Sequence, residues 1–341
     1  MIDFRSDTVT KPTDAMRKAM AQAEVGDDVY GDDPTVNRLQ DMAAERFGFD
    51  SALFVSSGTQ ANLLALMSHC ERGDEYLCGQ QAHNYKFEGG GAAVLGSIQP
   101  QPLNNQADGS ILFTDIEAAI KPDDVHFAQT RLLSLENTIG GKVLPLQYLA
   151  DAQTLAFNRG LKIHLDGARV ANAAVAQNVQ ISEITQYFDS VSICLSKGLA
   201  APIGSILLGD ERLINKAVRW RKMLGGGMRQ AGVIAAAAEL AITDQVERLA
   251  EDHDNAALLA QHLAEMPELS VDVKQVQTNM VFAELDKRYD VNHLTLLLAQ
   301  QGILISATYS LRFVTHKDIS RQDILTFIDA LKTCLPQSVV K

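Results

Sequence analysis

The chain is expected to be an α/β protein, with a large domain over residues 1–245 built on a mostly parallel central sheet flanked by helices, and a smaller α+β domain over 246–341. Three observations predict this. Short apolar runs alternate with helical patterns through the first two thirds, as βαβ units require. The pattern then passes through one long helical stretch, about 229–265, into β-type runs closed by a helix. The length, 341 residues, exceeds the roughly 150 expected of one domain.

In order, strands are expected at 52–55, 75–78, 92–95, 131–135, 161–165, 190–195 and 203–208, each a short apolar run. Helices are expected near 34–47, where Asp33 caps and Pro34 takes the first position, and near 59–70, 145–159, 180–187 and 211–223. The second domain takes strands at 271–273, 278–285 and 310–315 and a helix at 320–333. A sheet of this kind presents ligands at the carboxyl ends of its strands.

Composition excludes several classes. The net charge of −12 offers no basic surface for nucleic acid. The longest small apolar run, Ala231 to Ile242, is too short for a membrane span and contains Glu239. Residues 1–8 carry charges where a secretory segment would be apolar. Four cysteines without metal-ligand or paired spacing suggest buried thiols in a reducing compartment, so a cytoplasmic location is expected. Neither a phosphate-binding Gly-x-x-x-x-Gly-Lys loop nor a Gly-x-Gly-x-x-Gly motif is present. The acidic loop from Gly26 to Asp33 lacks calcium-loop spacing, and no metal is expected.

Three segments carry chemistry together. Lys197, between Ser196 and Gly198 after an apolar run, is placed to condense with an aldehyde cofactor. Asp166, also ending a strand and 31 residues upstream, can pair with a pyridinium nitrogen. Ser57-Gly58-Thr59 opens a helix whose free N–H groups suit a phosphate. Singly, each has an ordinary reading as a solvated lysine, a turn or an N-cap. Their conjunction points to pyridoxal 5'-phosphate.

The order Ser57-Gly58-Thr59, His83, Asp166, Lys197 and Arg312 resembles the aspartate-aminotransferase-type pyridoxal phosphate fold, fold type I. Within it, the segments 5–10, 26–35, 58–62, 164–169 and 220–230 resemble those of the low-specificity L-threonine aldolases, with matching motifs from residue 3 to past 316. The resemblance implies cleavage of L-threonine and L-allo-threonine to glycine and acetaldehyde. A β-eliminating lyase or an aminotransferase on the same fold is the alternative. It also implies roles: Lys197 carries the cofactor, Asp166 meets its ring nitrogen, Gly58 and Thr59 hold its phosphate, and Arg229 adds charge. His83 stacks on the ring. His83, His126 or a water held by either takes the β-hydroxyl proton. Arg312, an arginine in an apolar strand that needs a partner for its desolvation, is the main substrate-carboxylate clamp, with Ser6 and Arg169 sharing it and Lys222 and Tyr30 contributing. The ordinary alternatives are an ion pair for Arg169 and a cap for Ser6. A homo-oligomer, a dimer of dimers, is implied, with the 26–35 loop by an interface.

Overall fold

The computed structural model describes residues 1–340. Twelve strands run in order: β1 (Ile2–Asp3), β2 (Ser51–Val55), β3 (Asp74–Gly79), β4 (Gln99–Leu103), β5 (Gln129–Glu136), β6 (Lys162–Asp166), β7 (Ser190–Cys194), β8 (Ser205–Gly209), β9 (Leu269–Ser270), β10 (Met280–Leu285), β11 (Ile303–Leu304) and β12 (Ser310–Val314). The central sheet has the order β2-β8-β7-β6-β5-β3-β4. It is parallel from β4 across to β7, and β8 runs antiparallel to both its neighbours. Strands β3, β7 and β8 are buried along their whole length; β8 shows this as the apolar run Ile206-Leu207-Leu208, whereas β3 and β7 bury polar side chains as well, Asp74 and Glu75 in one and Ser190 and Ser192 in the other.

The capped helices fall where the sequence puts them. In Pro34–Phe47 the Asp33 carboxylate accepts from the N–H groups of Thr35 and Val36, and Gly48 closes the helix in the left-handed conformation. Glu211–Met223 begins where Asp210 accepts from Leu213 N.

Three expectations are corrected. Residues 91–94 form a short helix, and the strand of that region is β4. β4 escapes notice because its sequence is Gln-Pro-Gln-Pro-Leu; as an edge strand paired only to β3, it tolerates Pro100 and Pro102, whose missing N–H groups would break a central ladder. The stretch 229–265 is two helices, Gly232–Asp244 and Leu249–Ala264, because the chain turns between them to pass from one core to another. Residues 271–273 are not a strand: β9 precedes them, and Asp272 caps the single turn Val273–Gln275.

Two large cores result. Leu249 packs in the core of the central sheet, whereas Ala256 packs with Phe313 and Phe327 in the core of the small antiparallel sheet β12-β10-β9. The N-terminal arm joins the second core: β1 pairs in parallel with β11, and Phe4 is fully buried against Phe313 and Phe327. From there the chain returns towards the sheet, so residues 5–10 lie where the two cores meet.

Candidate active site

The carboxyl ends of β5, β6 and β7 gather the acidic and basic side chains. Glu136 and Asp166 end neighbouring strands in register. Asp166 is 3 % exposed, and only neutral donors reach it: Asn62 Nδ2 to Oδ2 at 2.8 Å and Ala168 N to Oδ1 at 3.1 Å. No ion pair involves Asp166 or Lys197 among the described residues. A buried carboxylate of this kind calls for a cationic partner.

His83 opens a helical turn just beyond β3, and its backbone N–H donates to Glu136 Oε2 at 2.7 Å. Its Nδ1 lies 2.8 Å from Glu88 Oε1, which also accepts from Asn62. The imidazole pKa is raised, chiefly by that bond to Glu88 and against its partial burial. Glu88 is raised as well, first by burial, the bond to His83 opposing. The two side chains thus share one proton across this contact, on the Nδ1 side of the ring, with His83 far the more solvated of the pair. Burial first, and the Asp166 charge second, push Glu136 well above the ordinary carboxylate range. His83, Glu88 and Asp166 bring one ligand atom each within 4.8 Å of one another.

Lys197 sits in the turn after β7, partly buried, with its carbonyl accepting from Thr10 Oγ1 at 2.8 Å and so tied to the N-terminal arm. Ser57 caps the helix Gly58–His69 by accepting from Gln60 N, while the N–H groups of Gly58 and Thr59 find no partner among the described residues. Beside them Ser205 Oγ is buried and unpartnered, 3.7 Å from where a Cβ on Gly58 would stand. The triple-glycine turn packs here too, since a Cβ on Gly226 would fall 2.2 Å from Gln60 Nε2. Free N–H groups, an unpaired hydroxyl and a close backbone make an anion cradle at a helix start. Together with the unpaired Asp166, these residues fit pyridoxal phosphate.

A cavity of about 560 Å³ opens between the domains, lined among others by His83, Phe87, Glu136, Arg169, Phe282 and Arg312. Arg169 reaches it already engaged: Nε and Nη2 donate to Asp7 Oδ2 and Oδ1 at 2.8 and 2.6 Å. Burial would raise Asp7, but Arg169 foremost, then Lys197, hold it down to about 2. Thus the ion pair that the sequence left open for Arg169 is formed, and Ser6 is a cap, its Oγ accepting from Thr8 N. Arg312 corrects an expectation. It is not buried in its strand, because the period of two turns Leu311 and Phe313 into the core and Arg312 outwards. Its Nη2 donates to the Arg5 carbonyl at 3.0 Å.

Other sequence-predicted residues stand outside this cavity. His126 is on an exposed turn, its side chain 80 % exposed, with Nδ1 2.6 Å from Asp124 Oδ1. Tyr30 is 78 % exposed, Lys222 is exposed, and Arg229 is exposed and donates to Asp27. The acidic loop spends its carboxylates internally, Asp27 on Arg229, Asp28 on Arg221 and Asp33 on the N–H groups of Gly26, Thr35, Val36 and Gly232. Asp7, Asn62 and Glu88 were not singled out from the sequence. Asp7 and Asn62 lay inside quoted motifs, but nothing local shows that Asp7 would face Arg169, 162 residues away.

The beta-eliminating lyase family model matches residues 3–286. The chain is 55% identical over 324 residues to the low specificity L-threonine aldolase of Escherichia coli (strain K12), covering 95% of this chain and 96% of that one. It is 43% identical over 333 residues to low-specificity L-threonine aldolase 1 of Arabidopsis thaliana, covering 95% and 93%. A solved structure of a Leishmania major threonine aldolase superposes with a TM-score of 0.83 at 21% identity, over 98% of this chain and all of that one, and shares the fold. The chain belongs to the beta-eliminating lyase family, among its low-specificity L-threonine aldolases.

Proposed function

We propose that the protein uses pyridoxal 5'-phosphate to cleave L-threonine and L-allo-threonine, and β-hydroxy-α-amino acids more broadly, into glycine and an aldehyde, acetaldehyde for the two threonines. The observation that carries the proposal is the buried Asp166 carboxylate with no cation of its own, in a member of this family. It suits the ring nitrogen, with Lys197 the covalent attachment, His83 against the ring, and Ser57, Gly58 and Thr59 at the phosphate. When bound, the cofactor holds the substrate's amino group and accepts the electron pair left on Cα as the Cα–Cβ bond breaks.

The chain's own residues supply orientation and proton transfer. Arg312, with Arg169 and Ser6 behind it, would bind the substrate carboxylate and thereby fix the rotation of the substrate about its N–Cα bond. His83 has its Nδ1 committed to Glu88, so Nε2 is the nitrogen free to take the β-hydroxyl proton. His126 is the second candidate, reaching the site only if its exposed turn moves. The exposed Tyr30, Lys222 and Arg229 support a homo-oligomer, a dimer of dimers, in which a neighbouring chain covers them and the basic pair adds charge near a phosphate. Among the described residues no helix is long and apolar enough to cross a membrane. The four free, buried cysteines suit a reducing compartment, and we assign the protein to the cytoplasm, in threonine breakdown that yields glycine.

The purified protein with added pyridoxal phosphate should release glycine and acetaldehyde from both threonine isomers, and Lys197→Ala should release neither. Pyruvate with ammonia, or a keto acid, as the product would transfer the assignment to β-elimination or aminotransfer.

A further inference from the structure

Behind Asp166 lies a chain of buried polar side chains that the proposed reaction does not use. Asp166 and His164 share one face of β6, and Ser192 and Ser190 share one face of β7, each pair two residues apart. Asn62 and His69, seven residues apart and so two turns along one helix face, cover them. The contacts are continuous. Asn62 Nδ2 lies 2.8 Å from Asp166 Oδ2 and 2.9 Å from Glu88 Oε1. Asn62 Oδ1 lies 2.6 Å from Ser192 Oγ and 3.2 Å from His164 Nε2. His164 Nδ1 is 2.8 Å from Ser190 Oγ, and Ser190 Oγ is 2.7 Å from His69 Nε2.

With both imidazoles neutral, one set of proton directions satisfies every one of these contacts. The Asn62 edge facing two carboxyl oxygens must be its NH2, since its carbonyl there would meet acceptors only. Asn62 Oδ1 therefore accepts from Ser192 and from His164, which places the His164 proton on Nε2. His164 Nδ1 then accepts the Ser190 hydroxyl proton. Ser190, its one proton spent, accepts from His69 Nε2. Both imidazoles are neutral, and burial keeps them so, lowering His164 to about 3 and His69 to about 4.

We infer that Asn62 and His164 are positioning residues for Asp166: one unidirectional chain of neutral donors ends on Oδ2, locks the carboxylate's orientation, and leaves its charge for a cationic ring nitrogen. The inference rests on the reading of Asp166 as the partner of pyridoxal phosphate. Because the donor to Asn62 is Nε2–H, a glutamine at 164 can replace it, whereas an asparagine reaches only the Nδ1 position.

The experiment is equilibrium dialysis of the full chain against pyridoxal phosphate for the unaltered protein, His164→Gln and His164→Asn. His164→Asn should weaken cofactor binding about tenfold, the loss of one bond in a charged network, and His164→Gln should stay close to the unaltered value. Equal effects of the two variants, or none, would overturn the inference. Because a smaller amide also leaves a cavity, His164→Leu, close to glutamine in volume but without a donor, should weaken binding as His164→Asn does. Binding by it as tight as that of His164→Gln would likewise overturn the inference. Absence of binding by the unaltered protein would instead overturn the cofactor reading. A second measurement needs no variant: nitrogen NMR of 15N-histidine-labelled protein should show His164 neutral with its proton on Nε2, and a proton on Nδ1 would break the chain as drawn.

Discussion

The two arginines of the cavity come from different sheets, Arg169 from the turn after β6 and Arg312 from β12, and are built in opposite ways. Arg169, on the sheet side, is buried and already held by both oxygens of Asp7. Arg312, on the small-domain wall, points out of an otherwise apolar strand and has only the Arg5 carbonyl. Partial burial lowers its pKa, with the Arg169 charge next in effect, so an anion beside Arg312 is welcome. The difference separates a fixed wall, whose electrostatics are satisfied before any ligand arrives, from a ligand-seeking wall that keeps donors in reserve. Asp7 also couples Arg169 to the N-terminal arm, because Phe4, three residues earlier, anchors that arm in the second core.

The comparison can be broken most forcefully at Asp7. Asp7→Asn leaves the Arg169 charge buried without its counter-ion, and denaturant unfolding should show a loss of about 3–5 kcal/mol. A change below 1 kcal/mol would mean that Arg169 is solvated and the wall is not fixed.

Next in size is the proposed proton carrier. His83→Ala should lower kcat by about a hundredfold or more, in the range of general acid–base catalysis, and His126→Ala much less. Equal losses would show that the exposed turn carrying His126 enters the cavity during turnover.

At Arg312 the expected effect lies in binding. Arg312→Ala should raise KM for threonine roughly ten- to a hundredfold, the worth of a charge-assisted bond of about 1.5–3 kcal/mol, while unfolding stability changes little. An unchanged KM would hand the carboxylate to the Arg169 wall.

The smallest effect is a pH dependence of the fixed wall. Asp7 falls from 3.8 to about 2 on folding. Its contribution is therefore complete above pH 3.8 and lost as the pH falls towards 2, a change of roughly 2 kcal/mol. Asp7→Asn should abolish that portion of the acid sensitivity, which parallel urea titrations at pH 5 and pH 2.5 would measure.

Much of this molecule was legible in residues. Asp33-Pro34 and Gly48 bracket a helix through local hydrogen bonds and φ preferences, and the apolar run Ile206-Leu207-Leu208 marks β8 as a strand buried on both faces. β4 was hidden for the converse reason: its place at the sheet edge, not its composition, makes two prolines acceptable. At the site, Lys197, Asp166 and the Gly58 helix start announce themselves because strand ends and helix starts are local signals.

The sequence by itself thus determined the layers of the fold, the helix start suited to an anion and the residues proposed for catalysis, all properties of short stretches of chain. Only the tertiary structure decided which of those side chains are already engaged. That Arg169 is held by Asp7, that Arg312 faces outwards, and that Asn62 and His164 stand behind Asp166 depend on pairings across tens to hundreds of residues. Charge and hydrogen-bond energies are set by partners and burial, which no local pattern of residues contains.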